Sequence, residues 1–176
     1  MTKSQINTIT YQTSIGTLVL GEFNGQLCCC DWKNRKLFEQ IQKRIQSYTK
    51  ADFIEKSTDF LSNVTQQLDA YFNRELTIFD IPLFFAGTEF QKQVWYELIK
   101  TPYGQTTTYL SLSKKLNNES AIRAVASANG ANAISIIVPC HRVIGSDGNL
   151  VGYAGGLYAK KKLLEIEQVY AQPELF

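Results

Sequence analysis

Residues 6–32, INTITYQTSIGTLVLGEFNGQLCCCDW, decide the β part of the fold. Apolar and polar residues alternate, β-branched side chains are dense, and Gly16 and the pair Asn24-Gly25 interrupt the run where a chain would reverse. The stretch predicts two or three antiparallel strands joined by tight turns. Cys28, Cys29 and Cys30 fall in the last of them, with Cys28 and Cys30 expected on one face and Cys29 on the other. A structural zinc site needs cysteines two to four residues apart, in pairs, with further Cys or His to complete the tetrahedron. Nothing supplies that, so the three are expected to be small buried hydrophobes and no metal is expected.

Outward from this run, FEQIQKRIQSY (38–48) and FLSNVTQQLDAYFNR (60–74) carry apolar residues at helical spacing, among them Phe60, Leu61, Val64, Leu68 and Tyr71. ELTIFDIPLFFAGTEF (75–90) reads as mostly extended, punctuated by Pro82 and Gly87. A boundary near residue 86 follows, with a small α+β lobe over 1–86 and a second lobe over 87–176. From Thr88, a plausible N-cap, a helix runs through EFQKQVWYELIKT with Phe90, Val94, Leu98 and Ile99 along one side, and Pro102 and Gly104 end it. LSLSKKLNN (110–118) and SAIRAVASANG (120–130) then read as two short helices joined by a tight turn, the pattern of a helix-turn-helix. The second is nearly bare: Ala121, Ala124, Ala126, Ser127 and Ala128 surround Arg123, its single charge. Small residues suit close helix packing, the ordinary reading of such a helix, and they also allow a surface that enters a narrow groove of DNA, which this segment alone does not establish. The fold class is α+β: an antiparallel sheet with helices first, then a mostly helical lobe.

The composition, 44% hydrophobic and 19% charged over 176 residues, is that of a folded globular chain. No apolar run approaches the eighteen or so residues of a membrane span, and the polar start MTKSQINTIT lacks the apolar core of a signal peptide. A cytoplasmic protein with reduced thiols is expected. The net charge of +2 argues neither for nor against a nucleic-acid partner, although the excess lies wholly in the second half.

The chemistry concentrates in IIVPCHRVIG (136–145). Its β-branched run reads as a buried strand that ends at Pro139, directly before Cys140, His141 and Arg142. His141 is the one histidine of the chain. A thiol is nucleophilic as thiolate, and an unperturbed cysteine holds only a few per cent of that form at neutral pH, so a base or a positive environment must help. Neighbouring side chains on a strand diverge, so His141 is expected to act through a water, oriented by Glu165 or Glu167 of the closing helical stretch KKKLLEIEQVY. A zinc deaminase would need a second cysteine where Val143 stands, and a papain-like peptidase a histidine distant from its cysteine; both fail here. Downstream, GYAGG (152–156) has the glycine content of a loop that approaches a ligand closely.

PCHRVI resembles the active-site signature of the O6-alkylguanine-DNA alkyltransferases, the methylated-DNA-protein-cysteine methyltransferases. The resemblance is an ordered series over residues 87–167: GTEFQKQVW, PYGQTTTY, AIRAVASANGAN, IVPCHRVIGSDGNLVGYAGG and KKKLLEIE. It implies a DNA repair protein that takes an alkyl group from O6-alkylguanine in double-stranded DNA onto Cys140 in a single turnover, as a monomer and without cofactor. O4-methylthymine is a further candidate substrate that depends on pocket width. His141 matches the water-bridged base, Glu167 the carboxylate that orients it, and Asn132 an asparagine bracing the active-site turn. Arg123 matches the arginine that replaces the flipped nucleotide in the stack. Tyr109 matches the tyrosine that helps rotate that nucleotide out and binds the guanine ring. Val143, Tyr153, Ala154, Gly155 and Lys160 match residues at or near the pocket. Departures are mild: Ala126 stands where many members carry glycine, NNES lacks a proline that often opens the second helix, and Ala154 replaces a serine. The zinc site that some members carry in the first lobe finds no ligands in this sequence.

Overall fold

A computed structural model describes residues 4–169. Met1–Lys3 of the polar start and Tyr170 of the closing helical stretch lie outside the described residues. Three strands open the chain: β1 (Gln5–Thr13), β2 (Gly16–Phe23) and β3 (Gln26–Trp32). They form an antiparallel meander. The Asn24-Gly25 turn between β2 and β3 has positive φ at both residues, 50° and 74°, the twist that a two-residue hairpin needs and that this dipeptide adopts readily. Helix α1 (Phe38–Thr49) then crosses to β4 (Asp52–Glu55), which pairs parallel with β1 and completes a sheet of order β3-β2-β1-β4. The fourth strand adds a parallel edge that the alternation pattern did not announce. Its four residues pair only because α1 returns the chain beside β1.

Helix α2 (Asp59–Phe72) starts at Thr58, whose side chain accepts from Leu61 N, and buries Leu61, Val64, Leu68 and Tyr71 at the expected spacing. That apolar face packs into the main core, which runs from Leu18 and Leu20 of the sheet through Leu98 to Leu163. A second cluster, with Ile41 and Ile45 of α1, covers Ile6, Cys28 and Cys29. Cys28 and Cys29 therefore share a cluster while Cys30 joins the other, contrary to strict alternation. The cause is a register shift at Gly21/Glu22, which leaves Cys28 without a direct partner on β2. All three cysteines are buried and free.

Helix α3 (Glu89–Ile99) begins in a full capping box, Thr88 and Gln91 each satisfying the other's backbone N–H. Val94, Trp95 and Leu98 are buried, whereas Ile99, expected on the same side, turns outward. Helix α4 (Tyr109–Lys115) is capped by Thr108. After a turn in which Asn117 has φ 55° and a 3₁₀ turn over Glu119–Ala121, α5 (Ile122–Gly130) follows. Three side chains capture the carbonyls at its C-terminal end. Arg35 donates to Gly130 O and Asn132 O, Arg44 to Ala131 O at 2.7 Å, and Trp95 Nε1 to Ala128 O at 2.8 Å. Helix α6 (Gly156–Ile166) closes the described chain. No helix among the described residues is long and apolar enough to cross a membrane.

The β-branched run before Cys140 is a turn and not the buried strand its composition suggests. Ile136 has φ 72°, Val138 N bonds Ile134 O, and Cys140 N bonds Val138 O. Two outside partners hold it so. The backbone of Cys30 on β3 pairs with Ala133 and Ser135, and the Asn132 side chain bonds the main chain at Ile134 and Val138. A β-branched residue in the left-handed region is strained, and here the surrounding bonds over-determine it.

Candidate active site

Cys140 opens a 3₁₀ turn, Cys140–Arg142, and is 3% exposed. Asn132, anchored where α5 ends, points its Nδ2 at Cys140 Sγ at 3.2 Å. Burial pushes the thiol up, while the Asn132 hydrogen bond and the positive charges of Arg35 and Lys160 pull it down. The surroundings therefore pay part of the cost of a thiolate in a dry site. Lys160 is itself wholly buried on α6, donating to Val143 O and to Val151 O at 2.7 Å, and burial lowers it to about 8.

His141 joins a polar knot around Glu167. Its Nε2 lies 2.6 Å from Glu167 Oε1. Burial lowers His141, against the pull of Glu167. Burial alone would raise the Glu167 carboxyl, but the bonds from His141 and Arg142, the charge of Arg142 and, once acid protonates the imidazole, the charge of His141 hold it at about 2. The favoured arrangement is a neutral imidazole whose Nε2–H donates to an ionised carboxylate, which leaves the Nδ1 lone pair as the proton acceptor. Nδ1 bonds no protein group. Arg142 donates Nε to Glu167 Oε2 at 2.9 Å, Nη2 to Oε1 at 3.0 Å and Nη1 to Thr101 O. Tyr71 OH reaches the same carboxylate from α2. Glu165, the alternative orienting residue, instead pairs with Lys161 and Lys162.

Of the remaining expected residues, Tyr109 and Tyr153 lie near enough to Cys140 to feel its charge, and the others stand farther out. Val143 is buried, and the main chain on either side of it pairs with Thr107, two residues before Tyr109. Tyr109 is half-buried, and its OH accepts from Asn129 Nδ2 at 3.4 Å. Tyr153 stands 6.4 Å from the His141 ring, edge to face, and its OH accepts from Trp32 Nε1 at 3.1 Å. Trp32 also fixes the loop beyond. A Cβ on Gly155 would come within 2.6 Å of the indole, so only glycine lets Ala154–Gly155 pack against β3. A cleft of about 350 Å³ separates this loop from Ile15, Thr17 and Arg35. A larger cavity of about 630 Å³, lined by Ile78, Leu83, Ile99 and Tyr103, has Arg142 in its wall but not Cys140. Arg123 stands apart on the exposed side of α5, with Ala124 and Ser127 beside it. Among the described residues no group of three or more His, Cys, Asp or Glu could hold a metal.

Sequence reasoning passed over Arg142, Tyr71, Trp32, Arg35 and Arg44. Arg142 was visible in the quoted motif without a partner. Tyr71 looked like one more apolar residue at helical spacing, since a phenol in a core stripe gives no local sign of its acceptor.

Two family models match. Residues 6–85 match the 6-O-methylguanine DNA methyltransferase ribonuclease-like domain and residues 89–169 the 6-O-methylguanine DNA methyltransferase DNA binding domain. A methylated-DNA-protein-cysteine methyltransferase of Mycobacterium tuberculosis is 40% identical over 166 residues, 94% of each chain. A protein of the same name from Methanosarcina mazei is 50% identical over 117 residues, covering 66% of this chain and 73% of that protein. The crystal structure of M. tuberculosis OGT in complex with DNA superposes with a TM-score of 0.78 at 38% identity, covering 97% of each chain.

Proposed function

We infer the function from one premise: the chain belongs to the 6-O-methylguanine DNA methyltransferase family. It is a DNA repair protein that removes the alkyl group of O6-alkylguanine in double-stranded DNA by direct transfer to a cysteine of its own. We assign that cysteine as Cys140. The observation that carries the assignment is that, of the four free thiols, Cys140 is the one braced by Asn132, at 3.2 Å, in the same turn as His141 of the His141–Glu167 pair at 2.6 Å.

The step balances without a cofactor. His141 Nδ1, through a water, takes the Cys140 proton, and Sγ attacks the O6-bound alkyl carbon in line. An S–C bond forms, the C–O6 bond breaks, and its electron pair returns to the guanine ring. Tyr109 donates a hydrogen bond to the departing ring, which takes up one proton to become normal guanine, balancing the thiol proton that passes through His141 and its water. The product is a thioether that no group in the site can hydrolyse, so each molecule acts once.

Reaching the base requires extruding it from the duplex, at a cost of a few kcal/mol. We assign that task to α4 and α5 as a helix-turn-helix. The small exposed side chains Ala124 and Ser127 let α5 enter a groove, Arg123 fills the place of the extruded nucleotide, and exposed Lys114 and Lys115 meet phosphates. Val143, Tyr153, Ala154, Gly155 and Lys160 then shape the pocket. The same reading takes the protein as a cytoplasmic monomer of two lobes divided near residue 86. Its reach to O4-methylthymine depends on the width of the pocket at Tyr153 and Gly155.

Incubation with a duplex bearing O6-methylguanine, followed by intact-mass measurement, tests the assignment. One methyl per protein, mapped to Cys140 and absent from Cys140→Ala, is expected. Tight binding of the duplex with no gain in mass would mean a lesion-binding protein instead.

A further inference from the structure

Glu167 takes more donors than the orientation of one histidine requires. Oε1 accepts His141 Nε2 at 2.6 Å, Tyr71 OH at 2.7 Å and Arg142 Nη2 at 3.0 Å; Oε2 accepts Arg142 Nε at 2.9 Å and Gly104 N at 3.3 Å. A carboxylate offers about four lone-pair positions in all, so five donors leave it saturated. Tyr71 comes from farthest along the chain, from the last turn of α2 and 96 residues before Glu167.

We propose that Tyr71 is a positioning residue for alkyl transfer: its hydroxyl, bonded to the carboxylate oxygen that faces His141, sets how strongly that histidine accepts a proton. The proposal rests on the reading of Cys140 as acceptor and His141 as its base.

The geometry supports a tuned contact. The Tyr71 ring is wholly buried between Phe72, Phe79 and Tyr103, with centroids 5.5, 5.4 and 6.1 Å away, so packing fixes where the hydroxyl points. Burial and the adjacent carboxylate keep the phenol protonated, so it donates throughout the working range. A donor on Oε1 draws off negative charge that the imidazole would otherwise feel. Without it, Glu167 becomes a stronger acceptor for His141 Nε2–H and favours the imidazolium. The other groups around the pair do not change with Tyr71. Arg142 and Cys140 lie in the same turn, Lys160 on α6, Tyr153 on the loop before it, and Tyr103 with Gly104 N on the opposite wall.

A hydroxyl that merely satisfied a buried carboxylate would affect stability alone, and one property of the chain separates the two cases. His141 is its only histidine, so in the untagged full chain a single imidazole C2–H resonance reports on it. In Tyr71→Phe, which keeps the ring and removes the hydroxyl, the titration midpoint of that resonance should rise by about half a pH unit, the equivalent of one neutral hydrogen bond. The acid limb of the rate of methyl transfer from duplex should move the same way. Phe79→Leu, which loosens the ring's packing and leaves the hydroxyl, should lower the thermal midpoint without moving the titration. Superimposable titrations of wild type and Tyr71→Phe, whether through a shared midpoint or a shared absence of titration, would overturn the proposal, as would equal shifts in both variants. Failure of the wild-type protein to methylate Cys140 would instead overturn the reading beneath it.

Discussion

Asn132 ties Cys140 to the main chain with one amide. Its Nδ2 serves Ile134 O, Val138 O and Cys140 Sγ, while its Oδ1 accepts Ile134 N. Asn132→Ala leaves the buried Ile134 N without its partner, worth about 1–3 kcal/mol, takes one of two donors from Ile134 O and Val138 O, and removes the bond that favours the thiolate. Denaturant titration should show a loss of roughly 2–3 kcal/mol. Because a hydrogen bond to a charged group is worth about 1.5–3 kcal/mol, alkylation of Cys140 by iodoacetamide at neutral pH should slow about tenfold or more. A variant that loses stability at an unchanged alkylation rate would show that Asn132 shapes the turn without touching the thiol's acidity. The residue was legible in the motif, its role in holding Ile136 in the left-handed region was not. That role depends on a side chain bonding backbone two and six residues later, for which hydrophobic pattern gives no sign.

Helix α5 presents a bare face outward and depends on borrowed side chains at its end. Arg44, reaching from α1, bonds Ala131 O at 2.7 Å and lies 5.5 Å from the Trp95 ring centroid. Positive charge there complements the helix dipole as well as the orphan carbonyl. Burial and the neighbouring Arg35 both lower Arg44, so desolvation and like charge offset part of the gain. Arg44→Met, which keeps the aliphatic stem, is therefore expected to cost only about 1 kcal/mol. Hydrogen exchange should locate that loss in the last turn of α5, with the amides of α2 unaffected; a uniform rise across the molecule would refute a local cap. Elements with local signals were readable in the sequence: the Asn24-Gly25 hairpin, the Thr88 cap, and the two short helices around the Asn117 turn. β4 was not, because four residues carry too little pattern and its parallel pairing is a product of the α1 crossover.

At the scale of the whole molecule, the polar knot at Glu167 makes the fold sensitive to acid. The folded carboxyl is held at about 2, below its ordinary 4.5, so its contribution is fully present above the unfolded value and is lost as pH falls toward 2. The difference corresponds to about 3 kcal/mol. His141 acts in the same sense: lowered by burial, it lets the unfolded chain take up a proton first as pH drops below about 6.5. Urea midpoints should fall between pH 7 and 5 and again between 5 and 3, and Glu167→Gln should flatten the second decline. What the sequence could not disclose is concentrated in these long connections. Tyr71 to Glu167 spans 96 positions, and Arg35 reaches Asn132 across 97. No window of residues contains both ends of either. The same span governs timing during synthesis. Tyr71 is made early, the Cys140 turn later, and the carboxylate that both await only when α6 has emerged. A nascent chain therefore carries Tyr71 and His141 before their shared carboxylate exists, and on the proposed reading the protein becomes competent in one late event.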